Sequence, residues 1–166
     1  MVKSKSINGF TLIELLVVIV IIGILSAIAL PSFLGQASKA RQSEAKLTVF
    51  SVLKAQSSHF IENQNFTGEW LEMGLGLPKD TTNYKYDLLK KDPKNQLDQQ
   101  VILATPQQND LRGYIGGIQV IERNKNPIVV SAVCEAKRPG TTQLSEKSIV
   151  FTEQDVKCAS EAREVK

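Results

Sequence analysis

Gly9-Phe10-Thr11-Leu12-Ile13-Glu14 opens a stretch that runs on through Leu-Leu-Val-Val-Ile-Val-Ile-Ile-Gly-Ile-Leu-Ser-Ala-Ile-Ala-Leu30 to Pro31. Seventeen of the 21 residues from Phe10 to Leu30 are apolar, and Glu14 is the only charge among them. As a helix rising ~1.5 Å per residue this segment is about 30 Å long, enough to cross the hydrocarbon core of a bilayer. Nothing else in the chain is apolar enough to wrap a helix greasy on every side, which argues against a buried core helix. A lipoprotein signal needs a cysteine just after the apolar run, and Cys134 and Cys158 lie far downstream. A cleaved secretory signal is the remaining alternative. Lys3 and Lys5 supply its basic start and Ala27-Ile28-Ala29 a small-x-small site, but the run is longer than the usual ~7–15 residues and Pro31 sits just past the cut.

Glu14 decides more than the hydrophobicity does. A carboxylate in hydrocarbon costs about 2.5–3.5 kcal/mol on insertion scales, so it calls for a cationic partner, a function, or a place at the membrane boundary. A cut between Gly9 and Phe10 creates an ammonium on the same helix face, at i and i+4. Such a pair adds little net stability, yet either partner left alone is costly, so it sets register between packed helices.

Outward from this segment the chain is ordinary. It has 166 residues, 20 Lys and Arg against 17 Asp and Glu, and a net charge of +3. That balance excludes a strongly basic nucleic-acid binder and an acidic disordered tail. Apolar residues at 42% suit one small folded head. Gly23 and Pro31 disfavour helix, but both are tolerated in membrane helices. A helical pattern resumes at Phe33, Ala37 and Ala40 and continues through Leu47, Phe50, Leu53, Phe60 and Ile61, with Val49 and Val52 alongside and Lys39, Lys46, Lys54 and Glu62 largely opposite. This predicts one long kinked helix from about Phe10 to Glu62, amphipathic in its second half. Asn63 to Thr82 reads as a loop in which Trp70-Leu71 and Met73 to Leu77 tuck under the head. Strand-like runs follow at Tyr84–Leu89, Gln100–Thr105, Tyr114–Glu122, Ile128–Cys134 and Ser148–Phe151, with turns at Asp92-Pro93, Asn126-Pro127 and Pro139-Gly140. Gly116-Gly117 suggests a bulge or a close approach by the helix. The fold class is α+β, a long kinked N-terminal helix on a small antiparallel sheet.

The stretch from Gly9 to Pro31 resembles the class III signal of type IV pilins and pseudopilins, nearly without a break. The resemblance implies a leader of residues 1–9, a transmembrane and fibre-core helix over 10–31, and a pilin head over 32–166. Gly9 is then the last leader residue, Phe10 the N-methylated first residue of the mature chain, and Glu14 the acid that pairs with a neighbour's N-terminus. Gly23 and Pro31 become points where the helix bends or unwinds on assembly. Leu75-Gly-Leu-Pro followed by Asn83-Tyr-Lys-Tyr is similar to pilin-like proteins common in cyanobacteria. The family implies a helical homo-oligomeric filament with other pilins, a prepilin peptidase, a platform protein and an assembly ATPase. Location would pass from the inner membrane to an extracellular pilus, although Lys39, Arg41 and Lys46 beyond the helix balance the leader lysines. A type II secretion or competence pseudopilin and a non-polymerising anchored binding module are the alternatives.

Cys134 and Cys158 fit no zinc spacing. They are either two separate thiols or, in a translocated head, a disulfide, and the second resembles the C-terminal disulfide loop of many pilins. No catalytic constellation, cofactor motif or metal site emerges. His59 has no orienting carboxylate or nucleophile by spacing and reads as a solvated surface residue. Glu146, Glu153, Asp155 and Glu161 resemble the calcium-binding acids of some pseudopilins but read as solvated charges, with no EF-hand pattern. Asn65-Phe66-Thr67 matches a glycosylation pattern by chance. Lys85, Lys90, Lys91 and Lys94 form a small basic patch, so DNA is a conceivable but unsupported partner.

Overall fold

A computed structural model describes residues 9–89, 99–140 and 144–165. The leader lysines Lys3 and Lys5, the Asp92-Pro93 turn, and Lys90, Lys91 and Lys94 lie outside the described residues. Contacts divide the chain into two compact units, one up to Ala37 and one from Ser38 onward.

Helix α1 spans Leu12–Asn63 and is unbroken through Gly23 and Pro31. Every large apolar side chain from Leu12 to Leu34 is at least 44% exposed.

In the second unit α1 lies on an antiparallel sheet. The strands are β1 (Tyr84–Leu89), β2 (Gln99–Pro106), β3 (Tyr114–Arg123), β4 (Asn126–Ala136), β5 (Ile149–Phe151), β6 (Val156–Cys158) and β7 (Ala162–Glu164). The main sheet has the order β1-β2-β3-β4-β7, and β5 and β6 form a separate hairpin. Its two faces follow the period of two along each strand. Tyr114 and Ile118 of β3, Ile102 and Ala104 of β2, and Val133 of β4 meet Ala45, Val49, Val52 and Leu53 of α1. Ile115, Val101, Ala132 and Cys134 face the other way, toward Ile149 and Val156 of the hairpin.

The buried row on α1 is Ala45, Val49, Val52, Leu53 and Gln56. Of the expected stripe, Val49, Val52 and Leu53 are buried and Phe50 and Phe60 pack against the core, whereas Leu47 at 65% and Ile61 at 71% exposed lie off it. Spacings of 4, 3 and 4 from residue 45 to 56 hold one face, and Leu47 falls about 200° from Ala45 at 100° per residue. Gln56 is buried because its amide pairs with the loop backbone. It donates to the Thr67 carbonyl at 2.7 Å and accepts from the Thr67 N–H at 3.0 Å. Trp70, Met73 and Leu75 do pack on the core, and Trp70 donates to the Leu77 carbonyl at 2.7 Å. Leu71 does not tuck in, being 90% exposed in a short 3-10 turn, Leu71–Met73.

Two turns also differ from expectation. The β3–β4 reversal falls at Asn124-Lys125, whose φ values are 54° and 62°, the left-handed pair of a two-residue hairpin. Asn126 and Pro127 already belong to β4, opposite Arg123 and Glu122. Strands β6 and β7 were not anticipated. No bulge occurs at Gly116-Gly117, since both pair in register with β2 and β4. Close approach explains them instead. A Cβ on Gly116 would sit 2.8 Å from Val49 Cγ1, and one on Gly117 2.6 Å from Ile149 Cδ1. Helix and hairpin thus press on adjacent residues from opposite faces.

Gly116→Ala and Gly117→Ala are each expected to destabilise the head by about 1–3 kcal/mol through overpacking, read as a lowered midpoint in denaturant melts. A second expectation concerns high pH. Burial raises the phenol pKa of Tyr84 and Tyr86 and pushes that of Tyr114 up to about 12. The unfolded chain ionises first, near ~10, so stability is complete below that pH and falls as pH rises through about 10 to 12. Tyrosinate absorbance tracking loss of structure would check this. Absorbance rising at ordinary phenol pH in an intact fold would contradict it.

Candidate functional site

The first candidate site is the start of α1. Gly9 and Phe10 are exposed and precede the helix. A Cβ on Gly9 would meet nothing within 4 Å, so the chain itself does not demand glycine there. Thr11 caps the helix. The Glu14 N–H donates to Thr11 Oγ1 at 3.3 Å, while Glu14 Oε2 accepts from the Thr11 N–H at 2.8 Å and its hydroxyl at 2.6 Å. This is a reciprocal capping box, which satisfies donors that a helix start otherwise leaves open. The helix dipole favours a carboxylate at this end as well.

The capping box gives Glu14 partners within its own chain, and its signal, Thr11-x-x-Glu14, stands in the sequence. The Glu14 carboxylate thus has two neutral donors and no cation among the described residues. Gly23 and Pro31 lie farther along the same helix, and a Cβ on Gly23 meets nothing within 4 Å.

The second candidate region is the C-terminal closure in the other unit. Cys134 of β4 and Cys158 of β6 form a disulfide with a Cα–Cα distance of 5.7 Å. Beside it, Glu135 accepts from Arg112 at 3.0 Å and from Arg163 of β7 at 2.7 Å. Gln119, a buried residue of β3, donates to the carbonyls of Thr152 at 2.7 Å and Asp155 at 3.0 Å. It grips the β5–β6 turn by both ends.

The remaining candidates take structural places. His59 is half-buried rather than solvated, and its Nδ1 lies 2.9 Å from the Asn65 carbonyl, where the chain leaves α1 through Gln64 at φ 58°. Thr67 of the glycosylation pattern is buried, with its hydroxyl bonded to Glu72. Asp155 accepts from the Val156 N–H at 2.8 Å. The Glu161 carboxyl is held below its ordinary pKa, first by its own backbone N–H and then by Ser148. Lys85 pairs with Asp87 at 3.9 Å. No three His, Cys, Asp or Glu side chains gather as a metal site among the described residues.

A capped, wholly exposed apolar helix start and a helix-on-sheet head closed by a disulfide define the pilin class. The family described as type IV pilin-like G and H matches residues 42–159, and the prokaryotic N-terminal methylation motif matches residues 4–30. The chain belongs to the type IV pilin-like family. It is 42% identical over 79 residues to a type IV major pilin of Myxococcus xanthus, covering 48% of this chain and 36% of that protein. To a type IV major pilin of Neisseria gonorrhoeae it is 30% identical over 106 residues, 64% of each. A type II secretion system core protein G of Escherichia coli is 30% identical over 105 residues, covering 60% of this chain and 72% of that protein. The chain spans between about a third and two thirds of the two major pilins.

Replacing Thr11 with Ala removes the cap and is expected to cost the helix start about 1 kcal/mol. Hydrogen exchange in detergent micelles should show faster exchange at the first-turn amides alone. Unchanged protection would mean that the capping box does not hold this end.

Proposed function

We propose that this chain is the structural subunit of an extracellular type IV pilus that supports motility, adhesion or DNA uptake. The observation that carries the proposal is an apolar helix start that stands exposed among the described residues, joined to a methylation motif. In this reading a prepilin peptidase cuts after Gly9 and methylates Phe10. The subunit waits in the inner membrane as a single-pass protein whose apolar side chains face lipid. A platform protein and a cytoplasmic ATPase then drive it into the fibre, where copies of the helix bury one another's apolar surface.

Glu14 has two successive partners in this scheme. Before assembly its carboxylate accepts from Thr11. During assembly the Phe10 ammonium of a neighbour replaces or joins those neutral donors, giving a charge-assisted bond in a water-poor core. Hydrophobic packing supplies cohesion and this pair supplies axial register. Gly23 and Pro31 mark where the helix bends or unwinds as copies pack.

The similarity to core protein G supports a second reading, a secretion pseudopilin. Shearing separates the two, because a surface pilus is released as long fibres and a pseudopilus is not. Mass spectrometry of sheared fibres is expected to find this chain starting at methylated Phe10. Glu14→Ala should leave insertion and cleavage intact while removing the chain from fibres. Normal piliation in that variant would remove the pairing step, and a mature chain beginning at another residue would overturn the cleavage assignment.

A further inference from the structure

We infer that Met73 is a modification site, a methionine oxidised by hydrogen peroxide, and that its sulfoxide unties the loop after α1 from the buried amide of Gln56. The site lies wholly in the head and stands whether or not the chain forms fibres.

Gln56 is fully buried on α1 and holds the loop by three contacts. Its Nε2 donates to the Thr67 carbonyl at 2.7 Å and to Met73 Sδ at 3.6 Å, and its Oε1 accepts from the Thr67 N–H at 3.0 Å. Both amide hydrogens and the carbonyl oxygen thus have a partner, as a buried carboxamide requires. Thr67 passes the hold onward, since its hydroxyl donates to the Glu72 carboxylate and accepts from the Glu69 N–H at 3.0 Å.

Met73 is reached from the other side. It is half-buried, packing on the core while lining an open groove with Ser51, Lys54 and Ser58. An accessible thioether is a target for peroxide, whereas the sulfurs of Cys134 and Cys158 are already joined. In the reaction the Met73 sulfur attacks one peroxide oxygen. The O–O bond breaks, an S–O bond forms, and the second oxygen leaves as water. Sulfur is oxidised by two electrons and the peroxide is reduced by two. A thiol-dependent sulfoxide reductase reverses the step, turning two thiols into a disulfide and releasing water.

A thioether sulfur has two lone pairs, and one of them faces the Gln56 N–H. Peroxide arriving from the groove takes the other, so one sulfoxide epimer forms. The oxidised sulfur is electron-poor and no longer accepts from an amide. One Gln56 hydrogen is then left without a partner in a dry site, which is costly for a buried donor. The Gln56–Thr67 tie loosens as a result.

The test treats the full chain in detergent micelles with hydrogen peroxide and maps its peptides by mass. Met73 is expected to gain one oxygen, as an epimer that one of the two stereospecific sulfoxide reductases removes and the other does not. Exchange of the Thr67 amide hydrogen should then quicken about fivefold or more, as loss of a buried partner implies, with the Ile149–Phe151 amides unchanged. Met73→Leu, a volume-conserving swap, should show no peroxide effect on Thr67. An unoxidised Met73, under conditions that oxidise a free methionine peptide, would overturn the site. Equal amounts of both epimers would overturn the shielded lone pair, and unchanged Thr67 exchange in the oxidised chain would overturn the loosening. The same loosening in peroxide-treated Met73→Leu would overturn its assignment to this sulfur.

Discussion

Water penalises the outward-facing Leu, Ile and Val side chains between Leu12 and Leu34 in proportion to their area, and all of them stand exposed among the described residues. In the proposed function this segment passes from lipid to other copies of itself. A segment that makes such a move cannot anchor its helix start by burial. It does so locally, with the Thr11–Glu14 capping box, whose partners are the helix's own backbone and a hydroxyl. The cap travels with the helix and costs no contact when the surroundings change.

The head solves a different problem. Both faces of its sheet are buried, one by α1 and the other by the β5–β6 hairpin. Gly116 and Gly117 let the two covers approach adjacent residues of the central strand. Buried amides then fix the covers in place. Gln56 pairs with the Thr67 backbone on the helix side, and Gln119 holds the Thr152 and Asp155 carbonyls on the hairpin side. The disulfide and the Arg112–Glu135–Arg163 cluster fasten the last strands to β4.

Much of this was legible in residue order. The long helix, the α+β class and the positions of the first five strands follow from two periods, 3.6 and 2. On the helix face, Leu47 and Ile61 look like core residues and are exposed, whereas the buried row includes Gln56, whose polarity hid it. Strands β6 and β7 escaped because three residues carry too little pattern, and what holds them is a disulfide and Glu135, which act across distant sequence. At the site, Glu14 stands out by its charge inside an apolar segment, Gly9 and Phe10 by resemblance, and their assembly roles are proposals. The Thr11 cap is legible from the Thr11-x-x-Glu14 spacing alone.

Pro127 sits near the start of β4, whereas β7 pairs only with Cys134, Glu135 and Ala136 at the far end. Much of that strand is therefore a sheet rim, the kind of border that templates runaway cross-β association when identical molecules are crowded. A proline there has no amide hydrogen to offer an incoming strand. If copies stack through the stem as proposed, Pro127 thus discourages their heads from stitching together by the wrong route.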